Sequence, residues 1–192
     1  ELRPAMTPTW LDWSSECVDW AITSADRGTL SELADLFDVM LRDERIASKM
    51  DDRALGLLAL PEYWEGDSSV IDPASGEPGA GRWQRMAPES TCAEIVKWGL
   101  GLGICPAKKK WLPPSERSGG LVEHTLEFWH PRLLTLRTFA DGRREWWIAT
   151  QTGPVQVTPG NDWVLFQPYG AVEPWRRGLV NRWEGRILRR RA

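Results

Sequence analysis

The chain has 192 residues, 42% apolar and 27% charged, with a formal net charge of −3, an ordinary balance for a soluble globular protein with room for a real core. No segment reaches 18 apolar residues and no basic stretch precedes an apolar run, which argues against a membrane span and a signal peptide. Cys17, Cys92 and Cys105 are odd in number, far apart and without a C-x-x-C. They speak against a disulfide framework or zinc site and for a reducing compartment.

Charge is polarised along the chain. Residues 1–90 carry 18 acidic and 8 basic side chains, and residues 91–192 carry 9 and 16. That asymmetry points to a polyanionic partner, or to head-to-tail packing of an acidic face on a basic one. Tryptophan is in excess, 13 against 2 Tyr and 4 Phe, and is scattered from Trp10 to Trp183 rather than repeated. Rings of that size supply buried area, and Trp is also enriched where subunits meet. A start at Glu1 rather than Met is what a fragment or a processed product shows.

Residues 1–28 read as an N-terminal arm, with Pro4 and Pro8 ahead of a helical candidate from Thr9 to Thr23. Asp26-Arg27-Gly28 is a break. Thr29 or Ser31 is then placed to cap a helix, with Glu32 as the capping-box partner of Thr29. Leu30, Leu33, Leu36, Phe37, Met40 and Leu41 recur at helical spacing and predict one buried face. Asp43 and Glu44 suit the first turn of the next helix. Its apolar stripe runs through Ile46, Met50, Ala54, Leu57 and Leu58 to Pro61, with Arg42, Arg45, Lys49, Asp51, Asp52 and Arg53 on the solvated side.

Residues 66–81 read as an exposed loop. A third helix begins near Pro88 and Ser90, carries Cys92, Ile95, Val96 and Leu100, and dissolves into Gly99, Gly101 and Gly103. In WGLGLGICPAKKKW the glycines follow a helix, whereas a phosphate cradle precedes one, so a tight helix-to-strand passage is the better account. After a loop at 113–120, strands are expected at Val122–Phe128, Leu133–Phe139, Glu145–Thr150, Val155–Val157 and Asp162–Gln167. Asp-Gly, Gly-Pro and Pro-Gly turns join them, and Asp141-Gly142 is the strongest hairpin signal. Beyond Pro174 the chain turns basic and helical. The fold class expected is α+β, with N-terminal helices on a small, mostly antiparallel sheet with hairpins, ending in a basic helix.

Chemistry has little purchase in this pattern. His124 and His130 stand six apart, which is no usual metal spacing, and a structural or surface role suits both. No G-x-S-x-G occurs and no Cys lies near a His, so no catalytic, cofactor-binding or metal site is nominated; an enzyme would have to work through one of the two histidines. Basic clusters are the remaining signal. Lys108, Lys109 and Lys110 form one, and Arg176, Arg177, Arg182, Arg186, Arg189, Arg190 and Arg191 form another; both are candidates for DNA or subunit contact. A Trp-rich module binding carbohydrate or peptide without catalysis is an alternative reading.

The order of these segments resembles the N-terminal region of tailed-bacteriophage portal proteins, especially the Mu-like branch. ADRGTLSELADLFDVMLRDERIASKMDDRALGLLAL is similar to their helical opening, through Leu36, Phe37, Met40, Leu41, Asp43, Ile46 and Arg53. KWGLGLGICPAKKKW, HPRLLTLRTFADG and TPGNDWVLFQPYGAVEPWRRGLVNRW follow in the family's order, so that the likeness spans roughly residues 24–183. The resemblance implies a homo-oligomeric ring, commonly a dodecamer, at one vertex of a virion capsid. The ring contacts the major capsid protein and neck or tail adaptors, receives the terminase during packaging, and passes double-stranded DNA. It implies no cofactor and no membrane. Residues 29–175 would be the α/β wing and residues 176–192 the start of a basic helix leading into a stem. Family members are much longer, continuing into the stem and channel helices that this chain would lack.

Overall fold

Helices precede strands in the described residues, which are 14–59, 82–114 and 122–180 of a computed structural model. The fold class is α+β, as the sequence leads one to expect, with two three-stranded antiparallel sheets where one was expected.

Helix α1 (Ser15–Asp26) opens where the Ser14 side chain accepts the amide of Cys17, filling one of the donors left bare at a helix start. It begins later and ends later than the Thr9–Thr23 candidate, of which residues 9–13 lie outside the described residues. Its inner face places Val18, Ala21 and Ala25 in the core, so this part of the expected arm belongs to the body of the protein.

Helix α2 (Ser31–Met40) buries Leu33, Leu36, Phe37 and Met40, and Leu30 just ahead of it, on the predicted face. The capping box does not form. Leu30 is the N-cap, with no side-chain bond to the helix, and Ser31 donates to Glu32 instead. Thr29 is taken up elsewhere: Gly28–Leu30 runs antiparallel along strand β3 (Leu134–Thr138), bridging Thr29 to Thr135. The Leu136 amide donates to the Gly28 carbonyl at 2.7 Å. Gly28, at φ +96°, leaves no space for a Cβ against the Leu136 carbonyl.

Helix α3 (Glu44–Leu58) is capped by Asp43, whose Oδ1 accepts the amides of Arg45 and Ile46. Met50 and Ala54 are buried against α5, but the stripe ends before Leu57, which is exposed. After the short α4 (Arg82–Met86) comes α5 (Glu89–Leu102), which does not dissolve at its first two glycines. Gly99 and Gly101 are helical because rings occupy the space of their missing side chains, Phe166 at Gly99 and Phe37 at Gly101. The helix stops at Gly103, in the left-handed conformation at φ +85°, with its amide on the Gly99 carbonyl.

The passage leads directly into β1 (Cys105–Leu112), the centre of the first sheet, order β2-β1-β6. β2 (Glu123–Phe128) pairs with it from Ala107↔Phe128 to Leu112↔Glu123, and β6 (Trp163–Phe166) from Cys105↔Phe166 to Lys108↔Trp163. α5 lies on this sheet, with Trp98 in tilted contact with Phe128 and edge-on to Phe37 at 5.0 Å.

The second sheet has the order β3-β4-β5, with β4 at Arg144–Thr150 and β5 at Gly153–Val157. Asp141-Gly142 does form the first hairpin, Gly142 at φ +82° donating back to the Phe139 carbonyl. Gly153-Pro154 was expected to turn the chain but starts β5 itself; the turn is Gln151-Thr152, held by the Thr150 hydroxyl on the Gly153 carbonyl at 2.6 Å.

A short link, Trp129 to Leu133, passes from one sheet to the other and is fastened to α2 on the way. His130 faces Asp38 at 3.3 Å, and Arg132 faces Asp35 at 3.3 Å. Between the layers lie Leu30, Leu33, Phe37, Leu102, Ile104, Leu134 and Ile148, all shielded from solvent.

Candidate functional site

The two basic clusters are placed by different parts of the fold. Lys108, Lys109 and Lys110 follow one another on β1, so their side chains alternate between the faces of the first sheet. Lys108 is half-buried, its ammonium 5.8 Å from the ring centroids of both Trp129 and Trp163, which meet edge to face. Its cross-strand neighbour is Glu127. Lys109 donates to the Gly160 carbonyl at 3.0 Å in the turn before β6. Lys110 is exposed. Beyond it Trp111 is 53% exposed, yet its indole N–H donates to Asp162 and its ring meets His124 edge-on at 5.2 Å.

Arg176 and Arg177 sit on a 3-10 turn, Pro174–Arg177, that closes the described fold. Glu173 before it is the only described non-glycine residue with positive φ, at +45°, where a side chain costs about 1–2 kcal/mol of strain. Trp175 is buried and donates its N–H to Asp26, the last residue of α1, at 3.0 Å. Arg176 donates to the same oxygen, also at 3.0 Å, and lies 3.2 Å from Glu173. Arg177 donates to the Tyr169 carbonyl. These contacts bind the corner to the body across most of the sequence. Of the basic helix expected over 176–192, residues 176–180 are described: Arg176 and Arg177 belong to the 3-10 turn instead, and helix begins only at Leu179 and Val180; Arg182, Arg186, Arg189, Arg190 and Arg191 lie outside the described residues.

Asp26 is the electrostatic centre of this corner. Burial works against its charge, but the hydrogen bonds from Trp175 and Arg176, with the guanidinium's attraction, outweigh it and hold the carboxyl below its usual 3.8. A depressed folded-state value means stability that is present above pH 3.8 and lost as pH falls through the folded-state value. We therefore expect urea titrations to show wild type more stable than Asp26→Asn by a constant margin at pH 5 to 7 and by a shrinking margin below 3.8. A margin independent of pH would remove the charge from this account.

Both histidines have structural neighbours. Burial, with help from Lys109, pushes His124 below its usual value and favours the neutral ring beside Trp111. The Nδ1 of His130 accepts the Arg132 amide, capping the turn between the sheets. At Asp35, burial raises the carboxyl above its usual range against the pull of Arg132, whose Nη2 lies 3.3 Å from both oxygens but is hydrogen-bonded only to Oδ2.

Two polar pairs had no sequence signal. Arg85 reaches Glu123, itself buried, with Nη2 on Oε1 at 2.9 Å and Nε on Oε2 at 3.3 Å. The Asp26–Trp175 bond joins residues 149 apart. No local pattern marks either. No disulfide joins the three cysteines, and Cys105 is buried, which pushes its thiol well above the usual value. Among the described residues no group of three or more His, Cys, Asp or Glu is arranged to hold a metal, and no helix is long and apolar enough to cross a membrane. Comparison with family models, curated proteins and solved structures finds no match to this chain.

Proposed function

We propose that the chain is a structural subunit of a phage portal, contributing the α/β wing of a ring at a capsid vertex. The supporting observation is the corner at Pro174–Gly178. There the chain, coming from β6 of the first sheet, is fastened to α1 and α5 and starts a helix at Leu179. A wing needs such an exit, because it must hand force and position to a stem without loosening its own core. On this reading the basic residues from Arg182 onward begin the stem, the capsid and neck proteins meet other surfaces, and DNA passes through the assembled ring.

Purified chain is expected to form closed oligomers, seen as a multiple of the 21.8 kDa protomer by light scattering and as rings in electron micrographs. A monodisperse monomer at high concentration, with no rings, would sink the proposal. A non-enzymatic binding module is the second reading, favoured by the exposed and immobilised ring of Trp111. A monomer whose fluorescence is saturably quenched by an oligosaccharide or peptide would favour it over the ring.

A further inference from the structure

His130 stands between β2 and β3, at the start of the Pro131–Leu133 turn that joins the two sheets. Both of its ring nitrogens are occupied. Nδ1 accepts the Arg132 amide at 3.2 Å, and Nε2 lies 3.3 Å from the Asp38 carboxylate of α2. A nitrogen that accepts carries no proton, so these two partners assign the neutral ring its tautomer, with the hydrogen on Nε2 toward Asp38. A second proton can then bind only at Nδ1. There it would point at the Arg132 N–H, donor against donor. The positive ring and the capped turn therefore exclude each other.

We propose that His130 is a proton-operated catch on the joint between the two sheets. The neutral ring caps the Pro131–Leu133 turn. The protonated ring gives up the Arg132 amide and is held by its charge on Asp38. The turn is then closed by backbone bonds alone, from Leu133 to the His130 carbonyl and from Leu134 to the Pro131 carbonyl. The surrounding charges act in both directions. Asp38 and Asp35 favour the positive ring, with Glu32 near Asp35 on the same helix, whereas the Arg132 guanidinium, 3.3 Å from Asp35, opposes it. From α5 the ring meets buried Trp98 at 4.2 Å, and from β2 it meets Phe128 at 6.1 Å, both uncharged. The charges on these elements are engaged elsewhere, Lys97 with Glu94 and with Asp51 of α3, and Glu127 across from Lys108. On β4, Arg144 pairs with Glu173 and Glu145 with Arg143. Packed against Trp98, the ring has little room to swing, so the turn yields rather than the ring. The catch lies within one chain and does not depend on the ring-assembly reading above.

The test is NMR of the full chain between about pH 5 and 8, the interval in which histidine side chains ordinarily change charge. At the alkaline end the ring nitrogens of His130 should report the Nε2–H tautomer. As the ring takes up its proton, the Arg132 amide should move upfield in step with it. The hydrogen-exchange protection of that amide should fall by about fivefold, the scale of a lost cap. In Asp38→Asn the transition should move to lower pH, because the positive ring has lost its anion. In His130→Asn, whose side-chain oxygen can cap but cannot titrate, the Arg132 amide should stay protected throughout. An Nδ1–H tautomer at the alkaline end, or an Arg132 amide indifferent to protonation of the ring, would overturn the catch. So would a transition unmoved by Asp38→Asn, since nothing would then hold the positive ring. The wild-type spectra decide the matter even if His130→Asn fails to fold.

Discussion

Replacing Gly103 by alanine is expected to lower stability by at least ~3 kcal/mol, the range reserved for strain and overpacking that the structure cannot relax. Two costs combine at this position. At φ +85° an L side chain meets its own carbonyl, worth about 1–2 kcal/mol. A Cβ would also overlap the Pro174 carbonyl oxygen, which is backbone and cannot swing aside as a side-chain end would. Gly142→Ala isolates the first cost. Its φ of +82° is nearly the same, but nothing lies within 4 Å of the added carbon, so a loss of only about 1–2 kcal/mol is expected. Urea midpoints of the two variants check the pair. Equal losses would mean that the contact between the α5 terminus and the Pro174 corner contributes nothing.

Trp175→Ala comes next, with an expected loss of about 3–5 kcal/mol from the cavity left by a buried aromatic side chain. Trp175 is 2% exposed, meets Trp146 edge to face at 6.0 Å and donates its N–H to Asp26. Trp175→Phe keeps most of the apolar contact and deletes the donor. Its hydrogen-bond share should be roughly 1 kcal/mol, with the remainder set by the smaller ring. Thermal unfolding of both variants separates filling from bonding. A loss in the alanine variant no larger than in the phenylalanine one would contradict the packing role assigned to this ring.

Both experiments probe contacts that local sequence reading could not reach. What it does reach is set by short-range physics. The Leu30–Leu41 stripe, the helix start at Asp43-Glu44 and the Asp141-Gly142 hairpin each depend on residues within one or two turns of each other, and each is found in the fold, with Asp43 as the cap rather than in the first turn. Thr29 was well placed to cap α2, but the edge of β3, more than a hundred residues away, takes that backbone instead. Gly99 and Gly101 looked like the end of a helix because glycine disfavours helices by about 1 kcal/mol. Two distant phenylalanine rings need the space, and close packing offsets that small preference. The candidate basic clusters divide in the same way. Their charge was legible, but that Lys108 lies against a pair of tryptophans and Arg176 on Asp26 depends on how strands and corner are folded together.

The segment Gly28–Leu30 has one more effect through its place beside β3. By bonding to Leu134 and Leu136 it closes that margin of the second sheet, while β5 at the other margin pairs only with β4 among the described residues. The sheet is thus one-sided in its capacity to grow. A strand offered by any neighbouring chain can extend it only at β5, and there Pro154 withholds one of the amides that a new ladder would use. Polarity of growth, with a partial brake on the open side, is written into the sheet by a three-residue stretch that the sequence would have spent on starting a helix.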